Sequence, residues 1–377
     1  SNYKIWQDYE GKDEKELSKQ LQLFKSPLIS GYKPEDVIYE CIIKEGFTVD
    51  IKIPMNLTSD TDARIVSGIG QELIGLSRAF QKLNPDIVVV LGDRFEMLAV
   101  ASAALLFRIP IAHIHGGEVT YGAYDDAIRH AITKMASLHF ATHKDYTRRI
   151  VQMGEDPRRV FTVGSPSLEN MKRLKHMEKS ALDVMAKFSI DHNTALVTFH
   201  PVTNEKGAAH AHMSHLLRAL DRSGLKTVFT LPNADAEYQV IVDAIAAYGR
   251  AHPRSTAIFA SLGQLKYFSF MRHVGLMIGN SSSGILESPS FKLPVVNIGT
   301  RQQGRVRARN VIDCNDDEQS IYAAIERARS VKFRQGLKTL QNPFDGGDTI
   351  LHIVHEIKRF AFHPVPVKKF IDLIYKS

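Results

Sequence analysis

Short, uninterrupted apolar runs that alternate with segments of helical spacing constrain this chain more than any other feature. Pro85-Asp86-Ile87-Val88-Val89-Val90-Leu91 is one such run, and residues 95–107 follow it with helical spacing and many alanines. A strand that is apolar on both sides has to be covered on both faces, as in a parallel sheet layered between helices. The unit recurs as a strand at 109–114, a helix near 126–137, a strand at 138–141, a helix near 144–153 and a strand at 160–163. Such alternation predicts an α/β fold built on doubly wound parallel sheets.

Residues 169–191 are charged and helical in pattern, and read as a connection. Alternation restarts with strands at 194–199, 227–231, 257–259, 275–278 and 295–298, interleaved with helices near 208–221, 236–248 and 264–272. Two domains are expected, 1–168 and 169–350, in keeping with roughly 100–200 residues per domain. Residues 351–377 are expected to form a third, C-terminal helical segment. The chain from Thr349 to about Phe360 reads as helix, and a short amphipathic stretch at 368–375 follows Pro364 and Pro366.

Composition excludes several classes. The 48 Lys and Arg outweigh 41 Asp and Glu, which a polyanion could exploit. The basic residues are nonetheless scattered, with the densest stretch, 301–309, interrupted, and no nucleic-acid-binding signature is present. Two cysteines, Cys41 and Cys314, cannot build a disulfide framework or a four-thiolate metal site. No run approaches the ~18 apolar residues of a membrane span, and residues 1–20 are polar. A cytoplasmic protein with no membrane or nucleic-acid partner is the expectation.

Ligands of parallel sheets bind beyond the carboxyl ends of the strands. Those positions here hold Gly92-Asp93-Arg94, His113-Ile114-His115-Gly116-Gly117-Glu118, His200-Pro201, Pro232-Asn233, Gly279-Asn280-Ser281-Ser282-Ser283-Gly284 and Gly299-Thr300-Arg301. The serine cluster suits an oxyanion, because small residues let backbone N–H groups approach it and Ile285-Leu286-Glu287 can open a helix. A serine-rich helix cap with no ligand reads equally well. Glu287 suits either ribose hydroxyls or a helix dipole.

The acidic set is Asp93, Glu118, Asp125 and Asp126. One of Asp125 and Asp126 is expected to cap the following helix, leaving the other free. Arg129 and His130 fall on the helix face of Asp126 and suit a nearby carboxylate or anion. His113 and His115, on one face of a strand, also resemble the opening of a zinc site, with His200 and Asp93 as further candidate ligands, although core or loop histidines fit the same pattern.

Together, Leu91 to Arg94, His113 to Glu118, Asp125-Asp126-Ala127-Ile128-Arg129-His130-Ala131-Ile132-Thr133-Lys134, Phe199-His200-Pro201-Val202-Thr203, Gly279 to Gly284 and Gly299-Thr300-Arg301-Gln302 resemble the hydrolysing UDP-N-acetylglucosamine 2-epimerases of bacterial sialic-acid biosynthesis. The resemblance runs from about Ile43 onward and includes Asn342-Pro343-Phe344-Asp345-Gly346-Gly347-Asp348. It implies two Rossmann-type domains in a glycosyltransferase-B-like pair, a cleft between them, and a C-terminal helix returning to the first domain. The family's N-terminal Gly-Thr-Arg-Ala-Asp-type turn, whose arginine approaches the diphosphate, has no match in residues 1–50.

The resemblance further implies conversion of UDP-N-acetylglucosamine and water to N-acetylmannosamine and UDP through a glycal. It places Asp93, Glu118 and Asp126 around the sugar as acid/base residues, with Asp125 supporting them. Arg94, His200, Asn233, Ser281, Ser282, Glu287 and Arg301 would hold the nucleotide, the serines on phosphate and Glu287 on ribose. No metal or organic cofactor is implied. A UDP-2,4-diacetamido-trideoxy sugar, as in legionaminic-acid pathways, is the alternative substrate. A non-hydrolysing epimerase, a retaining sugar transferase and an inactive UDP-sugar sensor are alternative activities. The alanine-rich helix at 95–107 and the resemblance together suggest a homodimer or homotetramer.

Overall fold

The computed structural model describes residues 62–372 apart from 122, 203, 204, 206, 233–236 and 361–366. Helix α1 (Asp62–Leu83) leads into β1 (Val88–Leu91), α2 (Phe95–Leu106), β2 (Ile111–Ile114), α3 (Asp125–Met135), β3 (Leu138–Ala141), α4 (Lys144–Gln152) and β4 (Val160–Thr162). These four strands form one parallel sheet in the order β1-β2-β3-β4. Successive residues of β2 face opposite layers: Ile111 packs with α1, α2 and α3 through Leu76, Ala99 and Ile132, whereas Ala112 and Ile114 lie on the opposite face. Burial on both faces is the reason β2 and β3 are mostly apolar.

Helices α5 (Pro166–Arg173) and α6 (Lys179–Ala186) carry the chain across to a second parallel sheet. It contains β5 (Thr194–Thr198), α7 (Ala209–Ser223), β6 (Lys226–Thr230), α8 (Tyr238–Ala251), β7 (Thr256–Phe259), α9 (Gly263–His273), β8 (Leu276–Gly279), the single turn α10 (Ser283–Leu286), β9 (Val295–Ile298) and β10 (Val311–Cys314). The strand order β10-β9-β8-β5-β6-β7 reverses direction between β5 and β8, which pair from Ala195↔Leu276 to Thr198↔Gly279. A crevice opens beyond the strand ends at such a reversal. His200 and Asn280 to Ser283 follow these two strands directly.

Helices α11 (Glu318–Arg329) and α12 (Val331–Gly336) complete this half, and α13 (Thr349–Arg359) returns to the first sheet. Ile353 and Ile357 pack with Ala112, Ile114 and Phe140, and Thr349 Oγ1 donates to the Val163 carbonyl at 2.7 Å. The alanines Ala99, Ala101, Ala103 and Ala104 of α2 are buried in the chain's own core, so the apolar surface this helix exposes is Leu105, Leu106 and Phe107 at its end. Among the described residues no helix is long and apolar enough to cross a membrane.

Several features depart from the sequence expectations, among them helices α1 and α11, which were not anticipated. Strand β10 was not anticipated, because Val-Ile-Asp-Cys is a four-residue edge strand exposed on one side rather than an apolar run. The helix expected after the serine cluster is one turn long. The end of the chain through Asp372 is not helical: the Ile371 N–H donates across to the Gly154 carbonyl at 2.9 Å instead of to its own preceding turn.

That terminal strap has a defined anchor. Lys368 Nζ donates to the carbonyls of Thr133, Lys134 and Ala136 at the end of α3 at 3.1, 2.6 and 2.6 Å, and contacts Glu155 at 2.7 Å. Burial would raise the Glu155 carboxyl, but hydrogen bonds from His139, Lys134 and Lys368 outweigh it and hold the group at about 2. Replacing Lys368 with Met should cost about 3 kcal/mol in chemical denaturation, since Glu155 then stays buried with fewer counter-charges. A carboxyl depressed on folding stabilises above its ordinary value of 4.5. That contribution should be lost as pH falls from there toward 2, and more weakly so in Lys368→Met.

Candidate active site

One cleft of about 590 Å³ receives the ends of both sheets. Its first wall comes from the loops after β1 and β2 and from α3, and Arg129 is its centre, with about 1% of its surface exposed. The guanidinium pairs with Asp93 Oδ2, reaches Asp126 Oδ1 at 3.3 Å and donates to Thr120 Oγ1 at 2.8 Å. Asp126 Oδ1 also accepts the Thr120 N–H at 2.6 Å, and its Oδ2 lies 3.6 Å from His130 Nε2. Neither aspartate caps α3: Tyr124 occupies that position, and both acids sit in the first turn. The capping expectation fails because Asp126 is turned toward Thr120 and Arg129.

Glu118 is the third carboxylate of this wall. His115 Nδ1 lies 2.7 Å from its Oε1, Thr142 Oγ1 donates to the same oxygen at 3.0 Å, and Arg305 Nη2 lies 3.2 Å from Oε2. Burial alone would raise this carboxyl, but Arg305 first and His115 next bring it down to about 2. The turn that presents it requires glycine, since a Cβ on Gly117, at φ +73°, would sit 2.4 Å from the Tyr146 carbonyl oxygen.

His113 and His115 do not act as a pair. His115 leaves the strand with φ 67°, so the two rings meet different partners. Burial drives His113 down to about 3, leaving it neutral. Its Nε2 donates to the Gly92 carbonyl at 2.8 Å while Nδ1 faces Thr133 Oγ1 at 3.2 Å. Both nitrogens are engaged, and the ring braces the turn that carries Asp93. The ligand-type side chains that do converge among the described residues, Glu205, His212 and Asp316, lie outside the cleft lining and are paired with one another.

The second wall is richer in neutral donors. His200 is buried, and burial, then Arg301 and Arg94, push its imidazole well below the usual histidine value. Its backbone is clasped by Asn280, whose Oδ1 accepts the His200 N–H at 2.7 Å and whose Nδ2 donates to the His200 carbonyl at 2.8 Å. Ser281, Ser282 and Ser283 line the cleft beside the buried phenol of Tyr267. The one-turn α10 has little macrodipole, so hydroxyls and local N–H groups must supply any anion contact. Ser282 makes no side-chain cap bond to it. Glu287 also lines the cleft and accepts from Ser167 Oγ at 2.6 Å.

Of the residues singled out in the sequence, Asp93, Glu118, Arg129, His200, Ser281, Ser282 and Glu287 line the cleft. Asp126 stands behind Arg129, with His130 beside it. Asp125, Arg94 and Arg301 are not among the described residues lining the cleft. Arg94 instead pairs with Glu96 at 3.2 Å, and Arg301 donates to the Asn280 carbonyl at 3.1 Å. Asn233 lies outside the described residues, as do residues 1–50. Sequence reasoning missed Arg305, Tyr267 and Ser167. Only Arg305 had a signal, as a member of the basic stretch after β9.

Comparison with known proteins gives the family of the chain. The family model described as UDP-N-acetylglucosamine 2-epimerase matches residues 33–358. The chain belongs to this family. Within the epimerase family, it is 40% identical to the GDP/UDP-N,N'-diacetylbacillosamine 2-epimerase (hydrolyzing) of Campylobacter jejuni, over 78% of this chain and 76% of that one. It is 34% identical to the UDP-N,N'-diacetylbacillosamine 2-epimerase (hydrolyzing) of Legionella pneumophila, with 78% of each covered. In fold it is similar to the crystal structure of the UDP-GlcNAc 2-epimerase from Neisseria meningitidis bound to UDP-GlcNAc, with a TM-score of 0.68 and 18% identity over 92% of this chain and 89% of that one. The architecture is thus glycosyltransferase-B-like.

Because His113 has both ring nitrogens engaged, activity should survive exhaustive chelation. Stoichiometric zinc whose removal abolishes turnover would restore the histidine pair as ligands.

Proposed function

We propose that this epimerase-family chain hydrolyses a UDP-linked 2-acetamido sugar with inversion at C2, and that its sugar is 2,4-diacetamido-2,4,6-trideoxyglucose. The observation that carries the reaction type is the division of one cleft into a wall of arginine-held carboxylates and a wall of neutral donors around a serine turn. The sugar is chosen on the two relatives named above, both diacetylbacillosamine enzymes. UDP-N-acetylglucosamine, giving N-acetylmannosamine, is the second reading, favoured by the description of the matching family.

The chemistry then distributes as follows. Glu118, ionised although buried, takes the C2 proton. The C1–O bond breaks with its electron pair leaving on UDP, which gives a glycal. Water adds across the double bond, with its oxygen at C1 and a proton delivered to the opposite face of C2 from the Asp93–Arg129–Asp126 side. Ser281, Ser282 and His200 receive the diphosphate, where its charge grows, and Glu287 receives the ribose. The Arg301 and Arg94 charges near His200 add to the anion's stabilisation.

Incubation with each UDP-sugar, followed by phosphorus and proton NMR, tests the reading. Free epimerised sugar plus UDP is the expected result. A UDP-linked epimer would replace it with the non-hydrolysing reaction, and nucleotide binding without product would leave a sensor. Asp93→Asn, Glu118→Gln and Asp126→Asn should each lose ~10²- to 10⁴-fold in turnover while still binding UDP. Near wild-type turnover in all three would reject the assignment.

Ser282→Ala should weaken UDP binding by roughly 1.5–3 kcal/mol in calorimetry, the loss of one hydrogen bond to a charged group. Ser282→Asp should bind still more weakly, since it sets a carboxylate against the diphosphate while remaining a good cap. Equal UDP affinity in the two variants would remove the serines from the phosphate site.

A further inference from the structure

The loop after β9 joins the two walls. At its nucleotide end, Arg301 Nη1 and Gln302 Nε2 donate to the Asn280 carbonyl at 3.1 and 2.8 Å. Two residues on, Gly304 at φ +87° lies so close to the first wall that a Cβ would stand 2.6 Å from Val119 Cγ2. Val306 N–H then donates to the Tyr146 hydroxyl at 3.0 Å, and between these contacts Arg305 reaches Glu118 at 3.2 Å and Thr120 Oγ1 at 3.5 Å. Its side chain is about 9% exposed, and its Nε and Nη1 are buried without partners. An arginine is not buried in this way merely to solvate a loop, because its desolvation is offset here chiefly by one carboxylate.

We propose that Arg305 is the positioning residue for Glu118: reaching over from the nucleotide half, it fixes that carboxylate in place and in its ionised form at the sugar wall. The inference rests on the reading of Glu118 as the base. Every charged or titratable neighbour is consistent with it. From its own loop Glu118 meets His115, and neutral His113 lies behind; from α4 it meets the Tyr146 phenol, raised to about 12 by burial and then by Glu118; Thr142 donates from beyond β3. Arg149 is occupied with the Gly117 carbonyl, and Arg129 with Asp93 and Asp126. Arg305 is therefore the only arginine or lysine among the described residues that forms an ion pair with this carboxylate.

Arg305→Gln and Arg305→Lys test this in the full chain. Arg305→Gln should lose about 10²-fold in kcat, with the acid limb of kcat/KM displaced upward by a pH unit or more and UDP affinity unchanged within about threefold. Arg305→Lys, which keeps the charge, should recover most of the loss. In protein labelled with carboxyl-¹³C glutamate, the Glu118 resonance, assigned by its absence in Glu118→Gln, should titrate at higher pH in Arg305→Gln than in wild type. This readout needs no substrate, so a wild type that turns over neither UDP-sugar counts against the proposed function and leaves the titration to judge Arg305. If Arg305→Gln does not fold by near-UV circular dichroism, Arg305→Lys carries the test by keeping Glu118 titrating low. An unmoved Glu118 titration in folded Arg305→Gln, a Glu118 raised in Arg305→Lys, or UDP affinity falling in step with kcat at an unchanged pH profile would each overturn the proposal.

Discussion

A guanidinium with almost no exposed surface has to be matched by carboxylates, and the way Arg129 is matched arranges the whole first wall of the cleft. Its partners come from three places in the chain: Asp93 beyond β1, Thr120 in the loop after β2, and Asp126 one turn earlier on its own helix. Burying that charge without them would cost several kcal/mol. The strand end, the loop and the helix are therefore held to one geometry by a single ion. Carboxylates fixed in this way are preorganised, so less reorientation is needed as charge moves.

The two walls differ in a manner that suits separation of charge. On the first, Glu118 is kept as an anion by Arg305 and His115. On the second, His200 is kept neutral by burial and by neighbouring arginines, and it is accompanied by the hydroxyls of Ser281, Ser282 and Ser283 and by the Glu287 carboxylate. A proton leaving carbon on one side and a diphosphate leaving on the other would each meet a wall already polarised for it. The loop bearing Arg305 ties the walls together through Asn280 and Tyr146.

The sequence disclosed what depends on local pattern. Burial throughout β2, β5 and β8 makes them mostly apolar, so they were readable, and strand ends are where a parallel sheet must place its ligand groups. What it concealed depends on distant partners. Asp126 looks like a helix cap until Thr120 and Arg129 are seen to claim it. His113 looks like half of a metal pair until the Gly92 carbonyl takes its Nε2. Arg305 is one of several arginines in a basic stretch, and nothing local distinguishes the one that crosses the cleft. Strand β10 was invisible because an edge strand needs no second apolar face.

The same dependence on distant partners extends to the helix that bears the site. Asp126 and Arg129 occupy the first turns of α3, while its last carbonyls are held by Lys368, 235 residues from Thr133 in sequence. The Phe370 ring packs against Gly154 and under Lys134, and Glu155 binds Lys134 and Lys368 together. An eleven-residue helix has little stability of its own. Its register relative to the cleft is set at both ends by tertiary contacts, Arg129 with Asp93 at one and the strap at the other. The final residues of the described chain thus support the first wall of the cleft without approaching it.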